Sequence, residues 1–307
     1  MNQFPYAIYD AHHHFWDLDA VDYPWLATKG VKRFFGDPAP IQKNYLPDNL
    51  RIDFGKLPVE KSVHIQVGAA DEQHLLESQV IQGLADSSGL ANGIVGYCAL
   101  EQKNRSRMLD QLCKLDNFRG VRQIVGRSPE EDKQTGTDGL LNSSAWLEGL
   151  VELEERKLSF DLQLIPDQMS RAAEVFSNVP ELAVALCHCG SPWYRDSPGW
   201  EMWRSGLYEL AALPNMHCKI SGLSMFDHNW SVETLRPIVE TVIEIFGPER
   251  CMLGSNFPVD KLHTNYHRLW LAYLEILDTL RISEEPLTTQ QKQRLFKHNC
   301  AAFYKLG

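Results

Sequence analysis

Two histidines, His12 and His14, stand two residues apart in Tyr9-Asp10-Ala11-His12-His13-His14-Phe15-Trp16-Asp17, at the end of a short apolar run that begins at Tyr6. Side chains alternate faces along a strand, so His12 and His14 point one way and His13 the other. Two imidazoles on one face at a strand end make half of a divalent-metal or acid/base site. A remnant affinity tag would be longer and would not follow a strand-like segment. Further polar residues stand at or near the ends of later apolar runs: Arg122 in Gly120-Val121-Arg122-Gln123, Gln163, His188 in Leu186-Cys187-His188-Cys189-Gly190, Lys219 and Ser221, and Ser255-Asn256. One such histidine is as well explained by a satisfied buried ring; three at strand ends point to one mouth.

Other residues carry weaker signals. Cys187 and Cys189 flank His188 and read as packing residues that face away from it. Asp260, just past Pro258-Val259, reads either as an acid of the site or as a helix cap. Trp16, Trp25, Trp193 and Tyr194 fall in loops, where aromatic faces stack on sugar rings or simply anchor the chain. Lys219 reads as a ligand for an anionic group or as a salt-bridge partner. His64, inside its run, reads as a core or wall residue, whereas His228 stands in a loop within reach of a substrate.

The elements that must position these residues follow from the pattern of apolar runs. Short runs at Ala7–Ala11, Ser62–Val67, Gly93–Leu100, Gly120–Val125, Ser159–Leu164, Val184–His188, His217–Ser221 and Cys251–Gly254 predict strands. Amphipathic stretches between them predict helices over Glu72–Ser87, Arg105–Leu115, Ser143–Arg156, Asp167–Ser177, Trp200–Leu213, Val232–Phe246, His263–Leu280 and Thr289–Tyr304. Strand–helix alternation implies right-handed βαβ units and a parallel sheet. The number of repeats and the 307-residue length favour a closed α/β barrel, the (β/α)8 TIM barrel, over an open doubly wound sheet. The latter would carry a glycine-rich turn after its first strand, and here histidines follow instead. Residues 1–307 read as one barrel domain. A long insertion, Phe15–Lys61, is rich in Pro, Trp and Tyr and reads as a lid over the mouth or as a packed extension of the barrel side.

Composition bounds the function. A formal net charge of −10 without clustered Lys or Arg argues against nucleic-acid and anionic-membrane partners and for a small-molecule substrate. The start of the chain lacks the basic and apolar regions of a signal peptide, and no run approaches a membrane span. Seven scattered cysteines without CxxC spacing read as reduced thiols of a cytoplasmic protein. The sequence leaves the oligomeric state open, a homo-oligomer included.

The order of these motifs resembles the amidohydrolase superfamily, in its amidohydrolase-related (amidohydrolase 2) sugar-lactonase branch. Besides the His12–His14 segment, the resemblance rests on Tyr23-Pro24-Trp25-Leu26, Gly120-Val121-Arg122, His188-Cys189-Gly190 and Lys219-Ile220-Ser221-Gly222-Leu223. It continues through Glu249-Arg250-Cys251-Met252-Leu253-Gly254-Ser255-Asn256-Phe257-Pro258-Val259 to Asn299-Cys300-Ala301-Ala302-Phe303-Tyr304. The resemblance implies an amidohydrolase-type barrel that opens a sugar-acid lactone or similar cyclic ester. It implies His12, His14 and His188 as catalytic groups and as ligands of one divalent ion, zinc foremost, although some lactonases of the branch are thought to work metal-free. It also implies Arg122 as a substrate-binding residue, with Lys219, Trp25 and Trp193 as further candidates.

The chain departs from the branch at one position. Where relatives carry an aspartate that handles the proton of the attacking water, this chain has Asn256, and a carboxamide has no basic site near neutral pH. Three readings follow: Asp260 or Asp227 takes over, or a metal-bound water ionises with help from His188; the chemistry is not hydrolysis; or Asn256 is an engineered change that traps substrate. The expectation carried forward is a hydrolase with catalytic His12, His14, His188, Asn256 and Asp260. Its rivals are a metal-free isomerase or decarboxylase on the same scaffold and a non-catalytic sugar-acid-binding homologue.

Overall fold

The computed structural model describes residues 4–130 and 137–307. Eight strands form one parallel sheet in chain order: β1 (Ile8–His13), β2 (Val59–Ile65), β3 (Gly93–Gly96), β4 (Phe118–Ile124), β5 (Ser159–Gln163), β6 (Val184–Leu186), β7 (Met216–Ile220) and β8 (Cys251–Leu253). The sheet closes where the chain just past β8 meets β1. The Asn256 amide donates to the His12 carbonyl at 2.7 Å and the His14 amide to the Phe257 carbonyl at 2.7 Å. Strands buried on both faces read as unbroken apolar runs rather than alternating ones, which is why all eight barrel strands were visible in the sequence, whereas the small hairpin of Arg281–Ile282 and Glu285–Pro286 was not. Helices at 74–88, 105–112, 144–155, 169–176, 197–211 and 232–246 lie between the strands and one at 266–279 follows β8, so this is the expected (β/α)8 barrel.

The closure has its own fastening. Asp10, fully buried on β1, accepts from the His12 amide at 3.2 Å and the Ser255 amide at 2.8 Å. It also accepts from the Ser255 hydroxyl at 2.6 Å and the Tyr266 hydroxyl at 2.8 Å. Four donors on one carboxylate tie β1, the end of β8 and the following helix into one unit. Burial nevertheless pushes Asp10 up to about 6, with these bonds pulling the other way.

Several boundaries differ from the sequence expectation. β3 stops at Gly96 instead of Leu100, and β6 stops at Leu186, before His188. His188, Cys189 and Ser191 all take the left-handed backbone conformation, at φ 54°, 55° and 55°, and Asn256 does the same at φ 55°. Residues with a Cβ rarely enter that region, and they cluster where a site demands an unusual side-chain direction. Gly222 is required beside this turn, because a Cβ there would lie 2.4 Å from the His188 Nδ1.

The segment between β1 and β2 contributes both to the core and to the pocket lining. Its inner part is core: Trp16, Tyr23 and Leu50 are buried, and the Trp16 indole donates to the Lys43 carbonyl at 2.7 Å. Its middle part, around Trp25 and Phe34-Phe35, reaches the barrel mouth. No helix among the described residues is long and apolar enough to cross a membrane.

Candidate active site

β1 delivers His12, the residue just past its end is His14, and the left-handed turn after β6 delivers His188. The His12 ring lies 4.5 Å from that of His188 and 5.1 Å from that of His14, centroid to centroid. His13 points the other way, against Phe15 at 4.4 Å, as alternation requires. All three inward rings are buried. Desolvation first, then the charges of Arg122 and Lys219, hold His12 and His188 well below the usual imidazole range, and burial with Arg122 brings His14 down to about 3. They are neutral rings with available lone pairs. Neither ring nitrogen of His12 has a hydrogen-bond partner among the described residues, a costly state unless something else uses them.

His14 and Asn256 meet in a way that carries chemical information. The His14 Nδ1 lies 2.7 Å from the Ile65 carbonyl; a carbonyl only accepts, so Nδ1 bears the proton and Nε2 the lone pair. The Asn256 Oδ1, also an acceptor, lies 3.2 Å from that Nε2. Two acceptors so placed are satisfied by a cation on both, or by a half-turn of the amide that brings its NH2 to His14. In the observed orientation Asn256 Nδ2 donates to the Asp260 Oδ1 at 2.8 Å. The half-turn would require a proton on Asp260. Burial, opposed by Asn256 and Ser224, pushes Asp260 up to about 7, which makes that proton available near neutral pH.

Other expected site residues fall elsewhere. Lys219 does not line the pocket: fully buried, it donates to Asp161, which also accepts from the Tyr304 hydroxyl at 3.0 Å. Cys187 does not face away from the histidines. Because β6 ends before it, its sulfur, an Asp161 oxygen and a His12 nitrogen come within 4.8 Å of one another. Those three could hold a metal by type, but the Lys219 ammonium already serves that carboxylate. Asp227 accepts from the Asn229 amide at 3.2 Å in an exposed turn and does not line the pocket. Asp260 sits in a short turn at 260–262 behind Asn256, capping no long helix. His64, next to last in β2, is buried and does not line the pocket, its Nδ1 accepting from the Phe15 amide at 3.0 Å. His228 stacks on His263 at 3.9 Å, beneath the 30s loop.

Above the histidines lies a pocket of about 780 Å³. His14, His188 and Asn256 belong to its lining, and Arg122 and Gln163 come from β4 and β5. Arg122 donates through Nη1 to the Gln163 Oε1 at 3.1 Å and through Nη2 to the Gln66 carbonyl, while its buried Nε has no partner among the described residues. Trp25 lines the wall, its indole donating to the Val67 carbonyl at 2.9 Å. Trp193 is set back: it packs against Phe34 at 5.2 Å and Phe226 at 5.0 Å and so supports the rim. Sequence reasoning missed Asp10, Gln66, His74, Tyr97 and Glu101. Asp10 carried a usable signal, lying two residues before His12 on the same strand face. The others sit at or beyond the ends of β2 and β3, where no pattern fixes direction.

A (β/α)8 barrel with histidines gathered at its C-terminal mouth is the architecture of the metal-assisted and acid/base hydrolases of this type. An amidohydrolase family model matches residues 9–306, and the chain belongs to that family, as an amidohydrolase-fold hydrolase. It is 37% identical over 302 residues to the protein y4mH of Sinorhizobium fredii, covering 98% of this chain and 99% of that one. It is 24% identical to an L-fucono-1,5-lactonase of Burkholderia ambifaria, covering 97% and 95% of the two chains. Among solved structures it superposes on a zinc-bound amidohydrolase of Burkholderia multivorans with a TM-score of 0.82, at 21% identity and over 98% and 100% of the chains.

Proposed function

We propose that this chain hydrolyses the lactone of a sugar acid. The observation that carries the reading is the convergence of three neutral histidines with Asn256, of which His14, His188 and Asn256 line a pocket also lined by Arg122. The likeness to lactonases supports the substrate class. The residues also fit a divalent ion: both His12 nitrogens are unpartnered, and the His14 Nε2 and Asn256 Oδ1 face each other as acceptors. An ion bound by His12, His14 and His188 would polarise the ester carbonyl and acidify a water, the zinc of the solved relative being the precedent.

The chain's own groups account for the rest. Arg122, in the pocket lining, donates to an oxygen of the substrate. Asn256 orients the water or the carbonyl and does not deprotonate. Its partner Asp260 fixes which end of the amide faces the site. In the ion-free protein the base is His188, whose Nδ1 is held at 3.0 Å from the Ser221 hydroxyl. It accepts the proton of the attacking water, the acyl carbon–oxygen bond of the ring breaks, and the proton passes to the departing ring oxygen, giving the open hydroxy acid.

A panel of aldonolactones, followed by acid release, tests this. The purified protein is expected to open at least one lactone well above its spontaneous rate, and His188→Ala to lose that gain by about a hundredfold or more. No acceleration of any lactone, or carbon dioxide released from an aromatic acid instead, would overturn the reading.

A further inference from the structure

Within the insertion between β1 and β2, a short helical turn ends at Ala27 and the chain rejoins the core at Ile41. The base of the intervening loop is tied. The Gln42 Nε2 donates to the Thr28 carbonyl at 2.7 Å, so residues 28–42 have joined ends, the geometry of an Ω-loop. The outgoing limb is loosely held: residues 27–32 are all exposed, and a Cβ added at Gly30, where φ is +72°, would meet nothing within 4 Å.

The tip of the loop is packed. Arg33 and Gly36 exchange amide-to-carbonyl hydrogen bonds at 2.9 Å in each direction, which sets Phe34 and Phe35 on a tight turn. Phe34 packs on Trp193 at 5.2 Å and Phe226 at 6.4 Å, from the loops after β6 and β7. Phe35 is buried in a small cluster with Met225 and Val259, from the loops after β7 and β8. The loop thus starts from the β1 side of the mouth and reaches the side that supplies His188 and Asn256. Phe34, Phe35, Met225 and Val259 line the same pocket as those two residues, which are 2% and 1% exposed with the loop in this position.

A polar fastening holds the tip down. The His263 Nε2, just past the turn at 260–262, lies 2.7 Å from the Phe35 carbonyl; a carbonyl only accepts, so Nε2 bears the proton and donates. The His228 ring stacks on His263 at 3.9 Å with the planes 5° apart, which fixes the orientation of the donor. Gly36 permits the approach. A Cβ there would lie 3.2 Å from the His263 Nε2, and its φ of +111° is one that residues with side chains rarely adopt. Neither His228 nor His263 lines the pocket, so the pair acts on the loop and not on a substrate.

We propose that residues 28–42 form a lid over the His188–Asn256 side of the site, hinged in the exposed limb and latched by His263 through the Phe35 carbonyl. Opening lifts Phe34 and Phe35 away from Met225 and Val259 and admits the substrate. Closing returns the aromatic turn and keeps bulk water from the histidines. The proposal rests on the lactonase reading for the location of the site only. Its test needs no turnover, so either can fail alone.

The test follows amide hydrogen exchange of residues 29–36 and oxidation of Met225 by chloramine-T, a ring-sized oxidant, both by mass spectrometry of peptides. His263→Ala removes the latch and is expected to raise both rates by about five- to tenfold, the worth of one hydrogen bond. Met216 and Met252, fully buried in β7 and β8, should keep their native oxidation rates. His263→Gln, whose amide can donate to the same carbonyl, should bring both rates most of the way back. Native rates in His263→Ala would overturn the proposal. So would a rise that Met216 and Met252 share, or a His263→Gln protein that behaves as the Ala variant does.

Discussion

At the residue scale the account turns on Asn256, the position where this chain departs from the pattern it otherwise follows. The amide is not a vestige in the structure: Nδ2 is committed to Asp260 and Oδ1 to the site, and both partners are buried. Returning an aspartate would set two buried carboxyls in contact at the present 2.8 Å separation. Like charges so placed cannot both ionise without cost. Asn256→Asp is therefore expected to be less stable than the native protein by roughly 1–3 kcal/mol near pH 8 and by less near pH 5, where one proton is shared. Urea denaturation at the two pH values measures this. Its hydrolytic rate is expected not to rise; a large gain would mean that the amide is a lesion. The sequence named Asn256 and Asp260 separately but could not couple them, because the hydrogen bond depends on the left-handed turn at Asn256 and not on spacing.

At the element scale, the strands and most helices were legible because buried parallel strands and amphipathic helices impose strong periodicities. The end of β6 was not, since Cys187-His188-Cys189 is as apolar as the strand before it, and only the backbone conformation shows the turn. The loop after β2 was not legible either. It is pinned by Glu77, buried in the helix His74–Ser88, whose Oε1 accepts from the Val67 amide at 2.7 Å. Burial pushes Glu77 up from 4.5 to about 7, with the Val67 bond, Arg122 and Tyr23 opposing. The folded protein thus keeps a proton that the unfolded chain gives up. For this group stability falls as pH rises from about 4.5 to about 7 and is level above that range. Glu77→Gln keeps the acceptor for Val67 and removes the titration. Its melting temperature relative to native should climb across that pH window; a constant difference would contradict the assignment.

At the scale of the whole molecule, residues far apart in the chain are brought to one mouth by closure of the barrel. His14 and Asn256, 242 positions apart, meet because the chain after β8 pairs with β1 and Asp10 fastens the seam. The sequence could place such residues at strand ends, and the fold then dictates their convergence. It could not size the pocket, because the walls come from the insertion after β1 and from the loops after β2 and β3. The charge of the site also exceeds what a list of ligands suggests. Burial first, then the charges of Lys219 and Arg122, hold His12 and His188 in the neutral form needed to bind a cation.

The most direct measurement of the central claim is hydrolysis in ¹⁸O-labelled water, read by mass spectrometry of the acid formed from the best lactone of the panel. The account predicts one labelled oxygen in the carboxyl group, at a rate far above the spontaneous reaction, and the loss of that excess in His12→Ala and His188→Ala. Labelled acid at the spontaneous rate only, or an excess that survives both substitutions, would contradict it.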